Sequence, residues 1–324
     1  MAVARSWKGL RHVEGPHVAT LTDIPALNQV FSDAFTDRYR RDGMVGVRVP
    51  FLNPSIWRYA IEDAGGGAMI WRGENGEVAA FNMAHLSGTE GWMGPLAVRP
   101  DAQGAGIGKE VVRAGIDWLK RGGARVIGLE TMPRTMDNIG FYSALGMVPG
   151  HLTVTLTVES GSTEAPITLL GRLPEGERVE VVEECRALVD RLIPGADYTR
   201  EIEITHHLGL GDTVLLSEGG RITGFALCHV APLVEGRARE EVRVLKMALE
   251  RESDLDALVK HLGDYARGAG THRFAIRMQG EYTTAYSRLI ALGARVRWTD
   301  LRMSMPTPVE RKATGGIVLS NWEV

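Results

Sequence analysis

Apolar and polar positions recur with two different periods along the chain, and each change of period marks the end of one element. Alternation typical of strands gives way to spacings of three and four residues typical of helices. The predicted elements of the first half begin with a strand (17–23), helices (24–35 and 53–64), a hairpin turning at Asn75–Gly76 and a strand (92–98). We expect Asp23 to cap the first of these helices.

A helix follows. Its apolar residues Ile107, Val111 and Leu119 recur at helical spacing, and it ends at Gly122. Then come a buried strand (124–131), a short helix (138–145) and an alternating strand (151–158). The order β-β-α-β-α-β indicates an α/β (α+β) fold with a mixed sheet.

The second half repeats this order, which indicates two copies of one supersecondary unit. The small, polar, proline-ended stretch 160–166 separates them, so we predict domains at 1–159 and 167–324 with 160–166 as the linker. The predicted elements are strands (167–173, 199–208), a helix (177–193), a hairpin (213–217 with 222–230), a strand (240–249), a helix (255–270), a strand (273–279), a helix (285–293) and a last strand (294–305).

Composition narrows the class of protein. The 324 residues are 44% hydrophobic and 24% charged with a net charge of −3, which is ordinary for a globular protein and gives no basic surface for nucleic acid. The sequence shows no apolar run of membrane-spanning length and no signal-peptide pattern. The two cysteines, Cys185 and Cys228, are too far apart in sequence to indicate a metal site or a disulfide framework. We expect a cytoplasmic protein without a metal.

The residues with the clearest chemistry lie between the strand that ends at Val98 and the following helix. Gly104, Gly106 and Gly108 precede that helix, and Lys109 adds a cation to its first turn. Free amides at a helix N-terminus, together with its dipole, favour a pyrophosphate. The pattern lacks the G-K-[ST] ending of a P-loop and the last glycine of a dinucleotide fingerprint. Taken alone, such a loop is also compatible with a flexible connector.

With its neighbours, this segment resembles the acyl-CoA motif of the GCN5-related N-acetyltransferase (GNAT) superfamily. LAVRPDAQGAGIGKEVV carries that family's Q/R-x-x-G-x-G/A pattern, and NIGFYSALGMVPG resembles its C-terminal helix. The resemblance implies two tandem GNAT folds, each a mixed, mostly antiparallel twisted sheet flanked by helices. It also implies backbone contacts to the pantetheine arm from Leu96, Ala97 and Val98, and a pyrophosphate site at Gln103, Gly104, Ala105, Gly106, Ile107, Gly108 and Lys109.

The same resemblance implies a catalytic role for one residue and a cofactor contact for another. Tyr142 would contact the cofactor and protonate the departing thiolate, although a core aromatic residue is the alternative interpretation. Asn138, four residues earlier on the same helix face, would contact the cofactor where the family's asparagine is replaced by Thr135. The general base stays open between Glu130, Glu90 and His85, or positioning alone. Glu130 is the catalytic candidate carried forward.

The second copy lacks the glycine loop, because Glu252 and Asp254 occupy the helix start and would repel a pyrophosphate. We therefore predict one competent site that transfers acetyl from acetyl-CoA to an amine of a small molecule in a ternary complex. The alternatives are a non-catalytic acyl-CoA sensor, or an acyltransferase that uses another acyl-CoA or a protein lysine. A homodimer is an open alternative to a monomer.

Overall fold

The computed structural model describes residues 13–161, 166–308, 310 and 312–322. Thirteen strands lie within them: β1 (Val13–Val18), β2 (Ala68–Gly73), β3 (Val78–Ser87), β4 (Glu90–Val98), β5 (Val126–Thr131), β6 (Val148–Glu159), β7 (Thr168–Leu169), β8 (Gly211–Glu218), β9 (Arg221–His229), β10 (Val242–Leu249), β11 (Arg273–Gln279), β12 (Arg295–Ser304) and β13 (Ile317–Ser320). The α-helices of these residues are α1 (Ile24–Arg41), α2 (Pro54–Ala64), α3 (Ile107–Arg121), α4 (Met136–Ser143), α5 (Glu175–Leu192), α6 (Thr199–His207), α7 (Leu255–Gly268) and α8 (Thr283–Ala291).

Local sequence explains most elements of the first half. Asn53 caps α2 by accepting a hydrogen bond from the Ser55 amide at 3.0 Å, and Gly76 turns the β2–β3 hairpin at φ +79°. The strand predicted at 17–23 is wrong in its bounds, because β1 ends at Val18. The Thr20 amide donates to the Asp23 carboxylate at 2.9 Å, which turns the chain there and starts a short 3₁₀ helix instead.

The sheet is mixed and mostly antiparallel, with helices on its faces, as predicted. Its strand order is β1-β2-β3-β4-β5-β12-β6-β11-β10-β9-β8-β7, with β13 paired to β10. Only β4 with β5 and β10 with β11 run parallel among the paired strands described. These two parallel pairs occupy equivalent places in the two halves.

Strands β6 and β12, which occupy equivalent places in the two halves, have changed places with each other. β6 lies between β11 and β12, whereas β12 lies between β5 and β6. The cores follow the exchange: Leu156 and Val158 of β6 pack in the core of the second half, and Met303 of β12 packs in that of the first. The halves therefore share one continuous sheet. The predicted domain boundary at 160–166 stays a prediction, and its residues 162–165 lie outside the described ones.

The second half departs from expectation at three elements. The strand predicted at 167–173 is reduced to β7, which a 3₁₀ helix at Leu170–Arg172 follows. Residues 199–208, predicted as a strand from the alternation of Ile202 and Ile204, form α6, which buries Glu201, Ile202 and Thr205 on one side. Helix α6 packs against α2, its counterpart in the first half. Strand β12 is not the last, because β13 follows it.

Within the described part of the chain, no helix combines the length and the apolar character needed to cross a bilayer.

Candidate active site

An opening in the sheet lies between β4 and β5. The two strands pair in parallel from Glu90–Val126 to Met93–Leu129, and beyond that pair they no longer bond to each other. At the point of separation β4 carries a bulge: Gly94 and Pro95 together oppose the single residue Met83 of β3. Proline has no amide hydrogen to donate to a ladder, which suits a residue at such an interruption. The opening thus begins where β4 kinks.

Leu96, Ala97 and Val98 lie on the separated part of β4. They still pair with β3 on one edge, from Asn82–Leu96 onwards. Their other edge faces the opening rather than β5. This is the stretch expected to offer backbone groups to a pantetheine arm.

The glycine loop stands at the end of β4 and starts α3. Gly104 and Gly106 have φ of +87° and +86°, a left-handed conformation that favours glycine. A Cβ on either would meet no heavy atom within 4 Å, so the space in front of the loop is open. Because α3 begins at Ile107, the amides of Ile107 and Gly108 have no acceptor within their own helix. The loop therefore has the geometry of an anion-binding helix N-terminus.

The rest of the loop is exposed to solvent, including Gln103, Ala105 and Lys109. The Gln103 side-chain amide donates to the Val98 carbonyl at 3.0 Å, which ties the loop to the end of β4. Lys109 is the third residue of α3 and is exposed, so its positive charge belongs to the first turn of the helix. Both features favour a bound diphosphate in the region that the sequence predicts.

Helix α4 contacts the start of α3 through Phe141, the residue that precedes Tyr142. A Cβ on Gly108 would lie 3.3 Å from Cζ of Phe141, whose ring touches that of Tyr142 edge-on at 5.2 Å between centroids. Tyr142 is 7% exposed, and burial raises the pKa of its phenol well above the ordinary value. Its hydroxyl therefore stays protonated at neutral pH. Asn138, one turn earlier, donates to Thr131 Oγ1 at the end of β5 across 3.4 Å.

Helices α1 and α4 meet at the mouth of the opening. The Thr135 hydroxyl donates to Asp42 Oδ2 at 2.8 Å, and Arg38 pairs with Asp137 at 3.1 Å. Thr135, which stands where the family has its asparagine, is thus directed towards α1. This leaves Asn138 as the amide side chain of α4 nearest the end of β5.

Glu130 points into a buried ion-pair network. Its carboxylate contacts Arg277 and pairs with Arg302 at 2.9 Å, and it accepts a hydrogen bond from Thr153 at 2.5 Å. Burial acts in the opposite direction, but the two arginines hold the pKa of Glu130 below its ordinary value. A carboxylate so engaged is a poor proton acceptor, and the geometry favours a structural role. The arginine partners come from β11 and β12, and their distance along the chain hides them from sequence reasoning.

The two other candidate bases are also engaged. Glu90 accepts hydrogen bonds from Tyr198 at 3.1 Å and from Trp322 at 2.5 Å, both in the second half. His85 is fully buried, with Nδ1 2.5 Å from Asp63 and Nε2 3.0 Å from the Gly94 carbonyl oxygen. Both side chains are thus engaged in contacts within the protein.

Comparison with known proteins decides the family of this site. Residues 26–147 match the model of the acetyltransferase (GNAT) family, and this range contains the opening, the glycine loop and Tyr142. The first half is a GNAT acetyltransferase domain. A domain of this family is that of an acyltransferase, and the family takes the acyl group from an acyl-CoA.

Solved structures resemble the whole chain in fold. One from Pyrococcus horikoshii, described as an acetyltransferase, is 17% identical, with 96% of this chain and 95% of that one covered at a TM-score of 0.67. A tandem GNAT protein from the clavulanic acid biosynthesis pathway is 12% identical, with 92% and 100% covered at 0.55. Saccharomyces cerevisiae N-myristoyltransferase with bound myristoyl-CoA is 10% identical, with 92% and 83% covered at 0.60. None of the curated proteins matches the chain.

The second GNAT fold has the same opening, but the chain fills it. β10 and β11 pair in parallel only at Val242–Phe274 and Arg243–Ala275, and β13 then pairs with β10 from Lys246 to Leu249. Since β9 occupies the other edge of β10, β13 lies on the side where β11 has separated. The predicted loss of the glycine loop is therefore accompanied by a second change: a strand of this chain lies where the first GNAT domain is open.

Proposed function

We propose that the first half transfers the acetyl group of acetyl-CoA to an amine of a small molecule, by direct attack in a ternary complex. One observation carries this proposal: β4 and β5 separate beyond Met93–Leu129, the separated end of β4 leads into the glycine loop, and helix α4, which bears Tyr142, contacts the start of α3. A nucleotide diphosphate and a reactive thioester need these two ends of one cleft. The second half, with its opening filled, would act as a scaffold.

The cofactor would lie along β4. The amides of residues 103–109 would hold the diphosphate, and the free edge of Leu96 to Val98 would hold the pantetheine arm. Asn138 would add a polar contact from α4. The acyl group would then lie at the bulge, where β4 and β5 separate.

In the reaction, the amine nitrogen attacks the thioester carbonyl carbon and a carbon–nitrogen bond forms. The carbon–sulfur bond then breaks, and the phenol of Tyr142 gives its proton to the departing thiolate. A buried phenol suits this role because it already carries, at neutral pH, the proton that it gives to the thiolate. The attacking amine loses a proton to water, and the phenolate of Tyr142 takes one back from water, so that the protons balance.

Glu130, Glu90 and His85 are all engaged in buried networks, so we infer that water carries the amine proton out of the cleft. Alignment of the amine with the thioester would supply much of the acceleration. Because no side chain then needs to act as the base, the acceptor must arrive as a free amine.

The test is release of CoA thiol, measured with a thiol reagent on a panel of amines: polyamines, aminoglycosides, amino acids and peptides. Acetyl-CoA is compared with propionyl-CoA in each case. Tyr142→Phe should lower kcat by about 10²-fold or more, the ordinary size of general-acid catalysis, with little change in KM for acetyl-CoA. Tyr286→Phe, at the matching position of α8, is the control and should leave kcat unchanged.

Two results would contradict the proposal. An unchanged kcat in Tyr142→Phe removes the acid role. Thiol release that no amine accelerates, with acetyl-CoA still bound by calorimetry, points to an acyl-CoA-binding protein instead.

A further inference from the structure

We propose that Arg200, Asp63 and His85 form a positioning relay, through which the second half fixes the bulge of β4 at Gly94. The inference rests on the proposed function, since it assumes that the acyl group lies at that bulge. It assigns the second half a part in the reaction. None of the three side chains needs to touch substrate.

The relay is a continuous chain of polar contacts across the interior. His85 Nε2 lies 3.0 Å from the Gly94 carbonyl oxygen, and His85 Nδ1 lies 2.5 Å from Asp63 Oδ2. The other oxygen of Asp63 accepts from Arg200 Nε at 3.1 Å. His85 and Asp63 are fully buried, and the imidazole stacks on Trp92 at 4.0 Å between centroids. A stacked ring with both nitrogens engaged has one orientation.

The Gly94 contact decides which ring nitrogen donates to the backbone. A backbone carbonyl only accepts, so Nε2 of His85 must carry a hydrogen to bond Gly94. Burial acts in the opposite direction, but His85 and Arg200 hold the pKa of Asp63 below its ordinary value. Breaking either contact of His85 leaves a buried polar group without its partner.

Arg200 connects this pair to the second half. It lies in α6, whose packing against α2 brings it to Asp63, and its Nη2 also donates to the Leu86 carbonyl at 2.9 Å. The guanidinium therefore holds the carboxylate of α2 and the backbone of β3 together. Asp63 and His85 belong to the first half, so this contact runs between the two halves.

We expect the contact between His85 and Gly94 to influence the opening because of where Gly94 lies. It stands in the bulge directly after the last β4–β5 pair, Met93–Leu129, and two residues before the free edge begins at Leu96. A bulge interrupts the ladder and leaves backbone groups without strand partners. The hydrogen bond from His85 replaces one such partner and sets the direction in which β4 enters the opening. A misplacement of about 1 Å at such a point can cost about 10²-fold in rate.

Two isosteric variants of His85 separate positioning from stability. In His85→Gln the side-chain amide reaches the place of Nε2 and still donates to the Gly94 carbonyl, but it loses Asp63. In His85→Asn the amide takes the place of Nδ1 and keeps Asp63, but it cannot reach Gly94. Both lose one contact of the same ring, so their melting temperatures should fall by similar amounts.

The expected result is a split between the two variants in amine-dependent thiol release. kcat should fall about tenfold or more in His85→Asn and stay within about threefold of wild type in His85→Gln. The dissociation constant of CoA, measured by calorimetry, should stay within about threefold in both, because the glycine loop is untouched. Equal losses of kcat in the pair, or a loss confined to CoA affinity, would overturn the relay.

The contribution of the second half is tested with Arg200→Gln, which alters only the outer end of the chain of contacts. It should lower kcat by less than His85→Asn and by about as much as His85→Gln, because both variants keep the donor to Gly94 and break the link to the second half; Arg186→Gln, at an exposed ion pair of α5, should leave kcat unchanged. Unchanged kcat in Arg200→Gln would show that the second half takes no part. A wild-type protein that releases no thiol with any amine would overturn the proposed function, and the relay with it; active wild type with equal losses in the pair overturns the relay alone.

Discussion

Three substitutions of Gly106, to Ala, Glu and Lys, test the role of the glycine loop. All three introduce the same backbone strain, and they differ in the charge of the side chain. Its φ of +86° is unfavourable for any residue with a Cβ, by about 1 to 2 kcal/mol. The space in front of it is open, since a Cβ would meet no heavy atom within 4 Å. Ala, Glu and Lys at this position should therefore destabilise the fold by similar amounts, while they place no charge, a negative charge or a positive charge beside the proposed diphosphate.

The size of the effect follows from Coulomb's law. Two unit charges about 4 Å apart interact by about 1 kcal/mol in water and by about 4 kcal/mol at an effective dielectric constant of about 20. Since about 1.4 kcal/mol corresponds to a tenfold change in affinity, Gly106→Glu should weaken CoA binding between about fivefold and several-hundredfold. The exposed position of the loop favours the lower part of this range. Gly106→Lys should bind CoA at least as tightly as Gly106→Ala.

Calorimetric titration with CoA measures the three dissociation constants directly. We expect the order Lys, then Ala, then Glu from tightest to weakest, and we expect the differences to shrink as salt is raised, because the site is exposed. Thermal unfolding of the same variants checks that their stabilities are alike. Three equal dissociation constants would refute the assignment of this loop as the diphosphate site.

Two further predictions concern buried carboxylates. Glu130→Gln should lower the free energy of unfolding by about 3 to 5 kcal/mol, because Arg277 and Arg302 lose their counter-charge. The pH–rate profile of this variant should keep the shape that it has in the wild-type protein. Loss of the acid limb of the profile would identify Glu130 as the base. Burial, followed by the negative charge of Asp63, raises the pKa of Glu201 to about 7 from an ordinary 4.5. The folded state thus holds a proton that the unfolded chain releases between these values, so stability should fall as the pH rises from about 4.5 through 7. Glu201→Gln should remove that part of the fall in urea unfolding between pH 5 and 8; an unchanged pH dependence would exclude this group as its source.

The two halves show how one fold is kept while one of its sites is lost. In the first, the opening between β4 and β5 is free and begins at a glycine loop. In the second, acidic residues precede α7, and Asp254 there is paired with Arg251 at 2.9 Å. Strand β13 completes the change, because its backbone satisfies the edge of β10 that separation from β11 would leave unpaired.

The error at residues 199–208 shows where local pattern misleads. Ile202 and Ile204 alternate with polar residues, which favours a strand, yet the segment forms α6 and buries Glu201, Ile202 and Thr205. The internal repeat held the better signal, since the first half has a helix, α2, at the equivalent place. A period of two over so few residues is weaker evidence than the order of elements in a repeated unit.

The sequence by itself determined most local elements of both copies, with α6 as the main exception, and the residues of the glycine loop. These depend on signals within a few residues: hydrophobic period, the Asn53 cap, the Asn75–Gly76 turn and glycines at positive φ. Tertiary structure alone decided the exchange of β6 with β12, the strand β13 in the second opening, and the fate of the candidate bases. Glu130 pairs with arginines 147 and 172 residues away along the chain. Such contacts depend on which strands become neighbours in the sheet, and no local sequence pattern predicts that.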